Sequence, residues 1–248
     1  MGDRTVLLIG DSIFDLHEGD DRLETVLGAR LRRDMPEHSW TVANEAHGGE
    51  YIGPCEGTPE GVSEPLFDSE TTGRYYEIVR RHPAVDVVCV CYGANDSKVY
   101  PPEGFRRRLE ALSARLQHDY RGGGRVALVF STTMYVDPAH SLGYTRTLPM
   151  VAGFRNGSSR NEYLAPYNAE IRGHAAARGY RCADLCRRIE AETAAGNWDL
   201  RLRRDGGDPR EDSRHIGEMA WFDDIHPNHA GTGIVADVLL GAMRDSRR

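Results

Sequence analysis

The chain has 248 residues and a formal net charge of −7, with 40% apolar and 28% charged residues. These proportions are typical of a folded globular protein and exclude a disordered or fibrous chain. Acidic and basic residues are mixed along the sequence, so no basic face for nucleic acid is predicted. No run approaches the ~18 apolar residues of a membrane-spanning helix, and the apolar run 6–9 is too short for a signal-peptide core. We therefore expect a cytoplasmic protein that binds neither nucleic acid nor a membrane.

Apolar runs typical of buried strands alternate along the chain with segments of helical period. The predicted strands cover residues 5–9, 40–44, 85–91, 125–131 and 180–184. The predicted helices cover residues 21–33, 75–81, 103–120, 159–178, 184–195 and 229–244. This alternation predicts an α/β fold with a five-stranded parallel sheet between two layers of helices. In such a fold the functional site forms at the carboxyl edge of the sheet.

A single domain over residues 1–248 is expected, because the chain has no internal repeat and no low-complexity linker. Three predicted connections are longer than the two to six residues usual in α/β units. They cover residues 53–74, 132–158 and 196–221. Long loops of this kind often cover a site. The third loop is rich in arginine and aspartate, and it fits a solvated excursion equally well. The sequence does not indicate an oligomeric state.

The first predicted strand runs into Gly10, Asp11 and Ser12. A serine in the turn after a strand presents its hydroxyl and its backbone N–H at the carboxyl edge of the sheet, where a nucleophile is needed. A serine that only caps a turn or a helix gives the same local pattern. The choice between these interpretations depends on what the other parts of the chain bring to this edge.

Asp223 and His226 lie three residues apart near the C-terminal end of the sequence. A carboxylate at this spacing can hold the Nδ1–H of the imidazole and leave Nε2 free to take a proton from a serine. A surface histidine before Pro227 is the alternative interpretation. Asp224 is only two residues from His226, a spacing that points its carboxylate elsewhere.

Candidate hydrogen-bond donors follow the second and third predicted strands. Gly48 and Gly49 follow the second strand, and Asn95 follows the third. The intermediates of acyl transfer need donors that are directed at a developing oxyanion. A glycine offers an unshielded backbone N–H, and an asparagine offers a side-chain NH₂. The strand ends together therefore predict an acyl-transfer site.

In chain order these motifs resemble those of the SGNH (GDSL) hydrolase family, and the resemblance covers most of the chain. The matching motifs are Gly10-Asp11-Ser12, Gly49 five residues after Asn44, Gly93-Ala94-Asn95-Asp96, and Asp223 with His226. Segments 167–169 and 182–185 also look like family segments. The resemblance implies the flavodoxin-like, three-layer α/β/α fold of SGNH hydrolases.

The resemblance also implies a role for each residue of the site. Ser12 would be the nucleophile, His226 the base and Asp223 the residue that orients the base. The oxyanion hole would consist of the N–H groups of Ser12 and Gly49 and the side chain of Asn95. Residues 46–48 depart from the usual family pattern, so Gly48 stays open as an alternative donor to Gly49.

The activity implied by the resemblance is that of a serine ester hydrolase that works through an acyl-enzyme and needs no metal or other cofactor. A small acylated molecule, such as an O-acetyl or natural-product ester, is the expected substrate. An acyltransferase that uses the same triad with an alcohol or amine acceptor is the alternative, and the complete set of motifs counts against a binding module without turnover. Candidate substrate contacts are Asp11, Lys98 and Trp221. For Lys98, exposure in a loop is the simpler interpretation.

Overall fold

The computed structural model describes residues 2–15, 22–54, 62, 64–120, 126–135, 160–196 and 229–244. Five strands in these segments form one parallel sheet with the order β2-β1-β3-β4-β5. They are β1 (Gly2–Gly10), β2 (His38–Asn44), β3 (Val87–Cys91), β4 (Ala127–Ser131) and β5 (Arg181–Ala183). This order is that of flavodoxin-like folds, so the predicted fold class is confirmed.

The helices lie between the strands, as the alternating pattern predicts. They are α1 (Leu23–Asp34), α2 (Arg74–Arg81), α3 (Asp96–Val99), α4 (Pro102–Asp119), α5 (Arg160–Arg178), α6 (Leu185–Ala194) and α7 (His229–Arg244). The six predicted helices are confirmed within two residues at each end. The four-residue α3 was not predicted, because a single turn is too short to show a helical period.

The hydrophobic core has two parts, one on each face of the sheet. Val6 and Leu8 of β1 pack on one face, against α1 and α7. Leu7 and Ile9 pack on the other face with residues of α2, α4 and α5. Because both faces are covered, alternate side chains of β1 are equally buried, which explains the continuous apolar run at 6–9.

The position of the site follows from the strand order. The chain passes from β1 to β2 on one side and then crosses to β3 on the other side of β1. The loops after β1, β2 and β3 therefore meet at one edge, at the point where the direction of winding reverses.

Two of the three predicted long loops fall largely outside the described residues, so their covering role stays a prediction. The first loop is described in part, and its Pro65 forms an isolated parallel bridge with Tyr51, which lies just before the loop. Within the described segments, no helix combines the length and the apolar character needed to cross a membrane.

Gly10 allows the close approach of β1 and β3 at the site. A Cβ atom added to Gly10 would lie 2.5 Å from the carbonyl oxygen of Cys91, which is too close for any real contact. We expect Gly10→Ala to lower the free energy of unfolding by about 1–3 kcal/mol, measured by urea denaturation, because the strands must separate to admit the methyl group.

Gly173→Ala in α5 is the matched control for this prediction. No described atom outside the backbone of its own helix lies within 4 Å of the added Cβ, so this change should preserve or raise the stability. An unfolding midpoint of Gly10→Ala equal to that of the wild type would contradict the steric argument.

Candidate active site

Asp11 shapes the turn that carries Ser12. The N–H of Phe14 donates to the carbonyl of Asp11 at 3.1 Å, and the N–H of Ile13 donates to the Asp11 Oδ1 atom at 3.0 Å. The Asp11 N–H continues the pairing of β1 with β3 by donating to the Cys91 carbonyl at 3.1 Å. Ser12 is thus a central residue of a turn at the sheet edge, and it is partly exposed.

The loop after β2 runs along the end of β1 and reaches Ser12. The N–H of His47 donates to the carbonyl of Gly10 at 2.9 Å, which extends the strand pairing into the loop. The side chain of Asn44 donates to the carbonyl of Phe14 at 2.9 Å and so joins this loop to the serine turn. A Cβ atom added to Gly48 would lie 3.9 Å from the Ser12 Cβ, in van der Waals contact.

Gly48 and Gly49 are the two central residues of a β-turn. The N–H of Glu50 donates to the carbonyl of His47 at 3.1 Å, and Gly49 has a φ of 81°. Such an angle at the third turn position is that of a type II turn and favours glycine. The N–H of Gly48 donates to the Asp15 Oδ2 atom at 2.9 Å, whereas the N–H of Gly49 has no acceptor among the described residues.

The side chain of Asn95 is buried and held at both ends. Its Nδ2 donates to the carbonyl of Glu50 at 3.2 Å, and its Oδ1 accepts from the Lys98 Nζ at 3.1 Å. The nitrogen and the oxygen of an amide are distinguished by their partners, and here both partners require the same orientation. The loop after β3 is thereby linked to the loop that carries Gly49.

A buried carboxylate follows Gly49 directly. Glu50 is fully buried, and its two oxygens accept from the Arg74 Nε at 2.6 Å and from the Tyr92 hydroxyl at 2.5 Å. Burial raises the pKa of the Glu50 carboxyl above its ordinary value, while the contacts with Arg74 and Tyr92 act in the opposite direction. Sequence reasoning missed this trio, since nothing in an acidic residue after two glycines signals burial.

Asp96 is the second fully buried carboxylate of the site. It accepts from the N–H of Ile52 at its Oδ1 and from the N–H of Gly93 at its Oδ2, both at 3.0 Å. Burial raises the pKa of Asp96 to about 7, and the negative charge of Asp11 acts in the same direction. The sequence placed Asp96 in the third motif but gave no sign of this role.

Helix α5 supports the loop after β3 from the outside. The Tyr167 hydroxyl donates to the carbonyl of Tyr100 at 2.6 Å. The Oδ1 atom of Asn168 accepts from the N–H of Thr133 at 2.9 Å, just beyond β4. Residues 167–169, which look like a family segment in the sequence, therefore connect two strand ends through α5.

The structure brings together part of the predicted site. Ser12, the Gly48–Gly49 turn and Asn95 belong to one hydrogen-bonded set of loops. Asp223, His226 and Trp221 lie outside the described residues, so their roles stay predictions.

Asp11 is only 1% exposed and holds the serine turn, and its contact with a substrate also stays a prediction. Lys98 is partly buried against Asn95 rather than simply exposed.

The described segments contain no group of three or more His, Cys, Asp or Glu side chains that could hold a metal ion. The expectation that no cofactor is needed stays a prediction.

Comparison with protein families gives one match, to the GDSL-like Lipase/Acylhydrolase family over residues 8–234. No sequence match was found among curated proteins.

Solved structures of similar fold include several esterases. The chain resembles LAE5, an α/β hydrolase enzyme from the metagenome of Lake Arreo in Spain, with a TM-score of 0.64, 17% identity and coverage of 97% of this chain and 95% of that chain. It also resembles Axe2, an acetylxylan esterase from Geobacillus stearothermophilus (TM-score 0.59, 14% identity, 98% and 95% covered). A carbohydrate acetylesterase family member from Sinorhizobium meliloti is similar as well (TM-score 0.61, 16% identity, 98% of both chains covered). At these identities the likeness concerns the fold.

The raised pKa of Asp96 predicts how this residue changes stability with pH. Its carboxyl binds a proton near pH 7 in the folded protein but only near its ordinary value of 3.8 in the unfolded chain. Between these values the folded protein holds the extra proton, so the contribution of Asp96 to the free energy of unfolding falls as the pH rises from about 4 to about 7.

Asp96→Asn removes the titrating group and should flatten this part of the profile. The measurement is urea unfolding of wild type and variant at intervals from pH 4 to 8, comparing slopes rather than absolute stabilities. Parallel profiles for the two proteins would contradict the prediction.

Proposed function

The chain belongs to the GDSL-like lipase/acylhydrolase family, and we propose from this premise that Ser12, His226 and Asp223 form the triad of its ester hydrolase site. As a family member it is an ester hydrolase of the SGNH type. The observation that carries the proposal is the convergence of three strand ends, which sets Ser12 beside the Gly48–Gly49 turn and joins that turn to Asn95.

The proposed reaction has two halves. The Ser12 Oγ attacks the ester carbonyl carbon while its proton passes to the Nε2 of His226, whose Nδ1–H is held by Asp223. The negative charge on the carbonyl oxygen is stabilised by the N–H groups of Ser12 and Gly49 and by the Nδ2 of Asn95. Collapse of this intermediate breaks the ester C–O bond, and the alcohol leaves with the proton from His226.

Water completes the cycle. It attacks the acyl-enzyme carbonyl as His226 takes its proton, the bond to Ser12 breaks, and the proton returns to the Ser12 oxygen as the carboxylic acid leaves.

Gly49 is proposed as the backbone donor in preference to Gly48. The N–H of Gly48 is already used by the Asp15 carboxylate, so it would have to lose a charge-assisted hydrogen bond before it reached an oxyanion. The N–H of Gly49 carries no such cost within the described part of the chain.

A small acetyl ester is the proposed substrate. The names of two similar structures, an acetylxylan esterase and a carbohydrate acetylesterase family member, support an acetyl group as the acyl part. The alcohol part is proposed as a small molecule, and the cytoplasmic location stays a prediction of the sequence.

Covalent labelling tests the nucleophile. A fluorophosphonate probe should add one adduct to the wild-type chain, located on Ser12 by peptide mass spectrometry, and none to Ser12→Ala. Hydrolysis of p-nitrophenyl acetate should be lost in Ser12→Ala and His226→Ala. An adduct on another residue, or full turnover by Ser12→Ala, would overturn the assignment.

The adjacent carboxylates offer a matched pair for this test. Asp223→Asn should reduce kcat strongly but incompletely, because the His226 imidazole can still act as a base but is no longer held in its preferred tautomer. Asp224→Asn is the control and should leave most activity. A larger loss in Asp224→Asn would mean that the triad acid is wrongly assigned.

Asn95→Ala tests the side-chain donor of the oxyanion hole. Because the hydrogen bond to the oxyanion forms mainly in the transition state, we expect kcat to fall by about 10² to 10³ with little change in KM. Steady-state kinetics on p-nitrophenyl acetate measures both constants. A rise in KM at unchanged kcat would instead make Asn95 a substrate contact.

A further inference from the structure

We infer that Lys98 is a positioning residue that acts on the reaction through Asn95, by fixing and polarising the amide that would donate to the oxyanion. This inference rests on the proposed function, since it assigns a partner to a donor of the same site. It differs from the substrate contact that the sequence predicts for Lys98.

The two residues face each other across one turn of α3. The Lys98 Nζ lies 3.1 Å from the Asn95 Oδ1, and the Lys98 N–H donates to the Asn95 carbonyl at 2.9 Å. Asn95 is 7% exposed and Lys98 is partly buried, so solvent weakens this contact less than it would weaken a surface pair.

Lys98 and Glu50 bind opposite ends of the same amide. If the Asn95 amide turned over, its NH₂ would face the ammonium group and its oxygen would face the Glu50 carbonyl, so both hydrogen bonds would be lost at once. The present orientation leaves one N–H of Nδ2 on Glu50 and the second N–H for another acceptor. The donor is therefore oriented before the substrate binds, which is the condition for electrostatic stabilisation of a transition state.

The positive charge of Lys98 adds a second effect. A hydrogen bond from an ammonium group withdraws electron density from the amide oxygen, and this strengthens the N–H groups at the other end of the amide. Glu50 cannot supply this effect, because its backbone carbonyl is neutral and acts on the nitrogen end.

The peptide groups around Lys98 are anchored from α5. The Tyr167 hydroxyl donates to the carbonyl of Tyr100 at 2.6 Å, and the Tyr163 hydroxyl donates to the carbonyl of Ser97, so that the chain is held on both sides of Lys98. The backbone that carries the ammonium group is thereby fixed to a long helix, and loss of the Lys98 side chain should leave this anchoring intact.

Three substitutions separate orientation from charge. Lys98→Met should lower kcat for p-nitrophenyl acetate about tenfold without a matching change in KM, a smaller loss than removal of the donor itself. Lys98→Gln retains a neutral donor and should fall between Met and wild type. Lys98→Arg retains donor and charge and should keep most of the activity. Arg107→Met removes an exposed cation on α4 and is the control, with wild-type kinetics expected.

A double-mutant cycle distinguishes action through Asn95 from direct substrate contact. In an Asn95→Ala background, Lys98→Met should cost almost nothing further, because the group on which Lys98 acts is gone. Losses that multiply in the double variant, or a Lys98→Met effect confined to KM, would overturn the inference. Unfolding midpoints of the Lys98 single variants and of Arg107→Met should lie close to that of the wild type.

Chemical acetylation of the wild type gives a second measurement, with Lys98→Arg as its control. Lys98 is the only lysine of the chain, so an amine-acetylating reagent reaches Lys98 and the N-terminal amine alone among its amines. Acetylation should reduce kcat in the wild type but not in Lys98→Arg, and equal losses in both would overturn the inference.

The two proposals fail in different ways. If Ser12→Ala and Asn95→Ala keep wild-type activity, the proposed function itself is wrong. If both lose activity while Lys98→Met keeps a wild-type kcat, only the role of Lys98 is wrong.

Discussion

The carboxylate of Asp96 is completely buried, and each of its oxygens accepts a backbone N–H from a different loop. One hydrogen bond comes from Ile52, beyond the turn that carries Gly49, and the other comes from Gly93, before Asn95. A buried carboxylate without such partners would be strongly destabilising, so the two loops are constrained to meet at this group. The spacing between two of the proposed oxyanion donors, Gly49 and Asn95, follows from that constraint, as does the sensitivity of stability to the protonation of Asp96.

Glu50 adds a second buried connection to the same loops. Its side chain is fixed by Arg74 and Tyr92, while its backbone carbonyl accepts from Asn95. Because the Glu50 carboxylate is fully buried, loss of Arg74 would leave it without its counter-ion, so the position of this residue is strongly determined. The residue next to Gly49 therefore sets both the turn that presents its N–H and the direction of the Asn95 amide.

The sequence predicted the fold and the chain order of the strand ends well, because buried parallel strands leave continuous apolar runs and each run was followed by a polar motif. It predicted far fewer of the polar contacts that hold the loops of the site together. Glu50, Arg74 and Tyr92 are distant from one another in the sequence, and a glutamate or an arginine alone is typical of a surface. Lys98 has the same limitation, since a lysine in a short connection gives no sign that Asn95 lies one turn away. Periodicity reports which face is apolar, but it does not report which polar groups pair after the chain folds.

The buried carboxylates also define an electrostatic problem for the proposed reaction. Asp11, Glu50 and Asp96 surround the loops that would bind an oxyanion, and their charges oppose a further negative charge nearby. The structure limits this opposition at each group. Arg74 balances Glu50, backbone N–H groups bind Asp11 and Asp96, and the raised pKa of Asp96 reduces its ionised fraction near neutral pH. The ammonium of Lys98 lies on the oxygen of the Asn95 amide, where it offsets the remaining negative field at the donor itself. The carboxylates and the cation are thus complementary. The carboxylates hold the loops in the geometry that the oxyanion requires, and the positive charge of Lys98 offsets the repulsion between these carboxylates and the oxyanion.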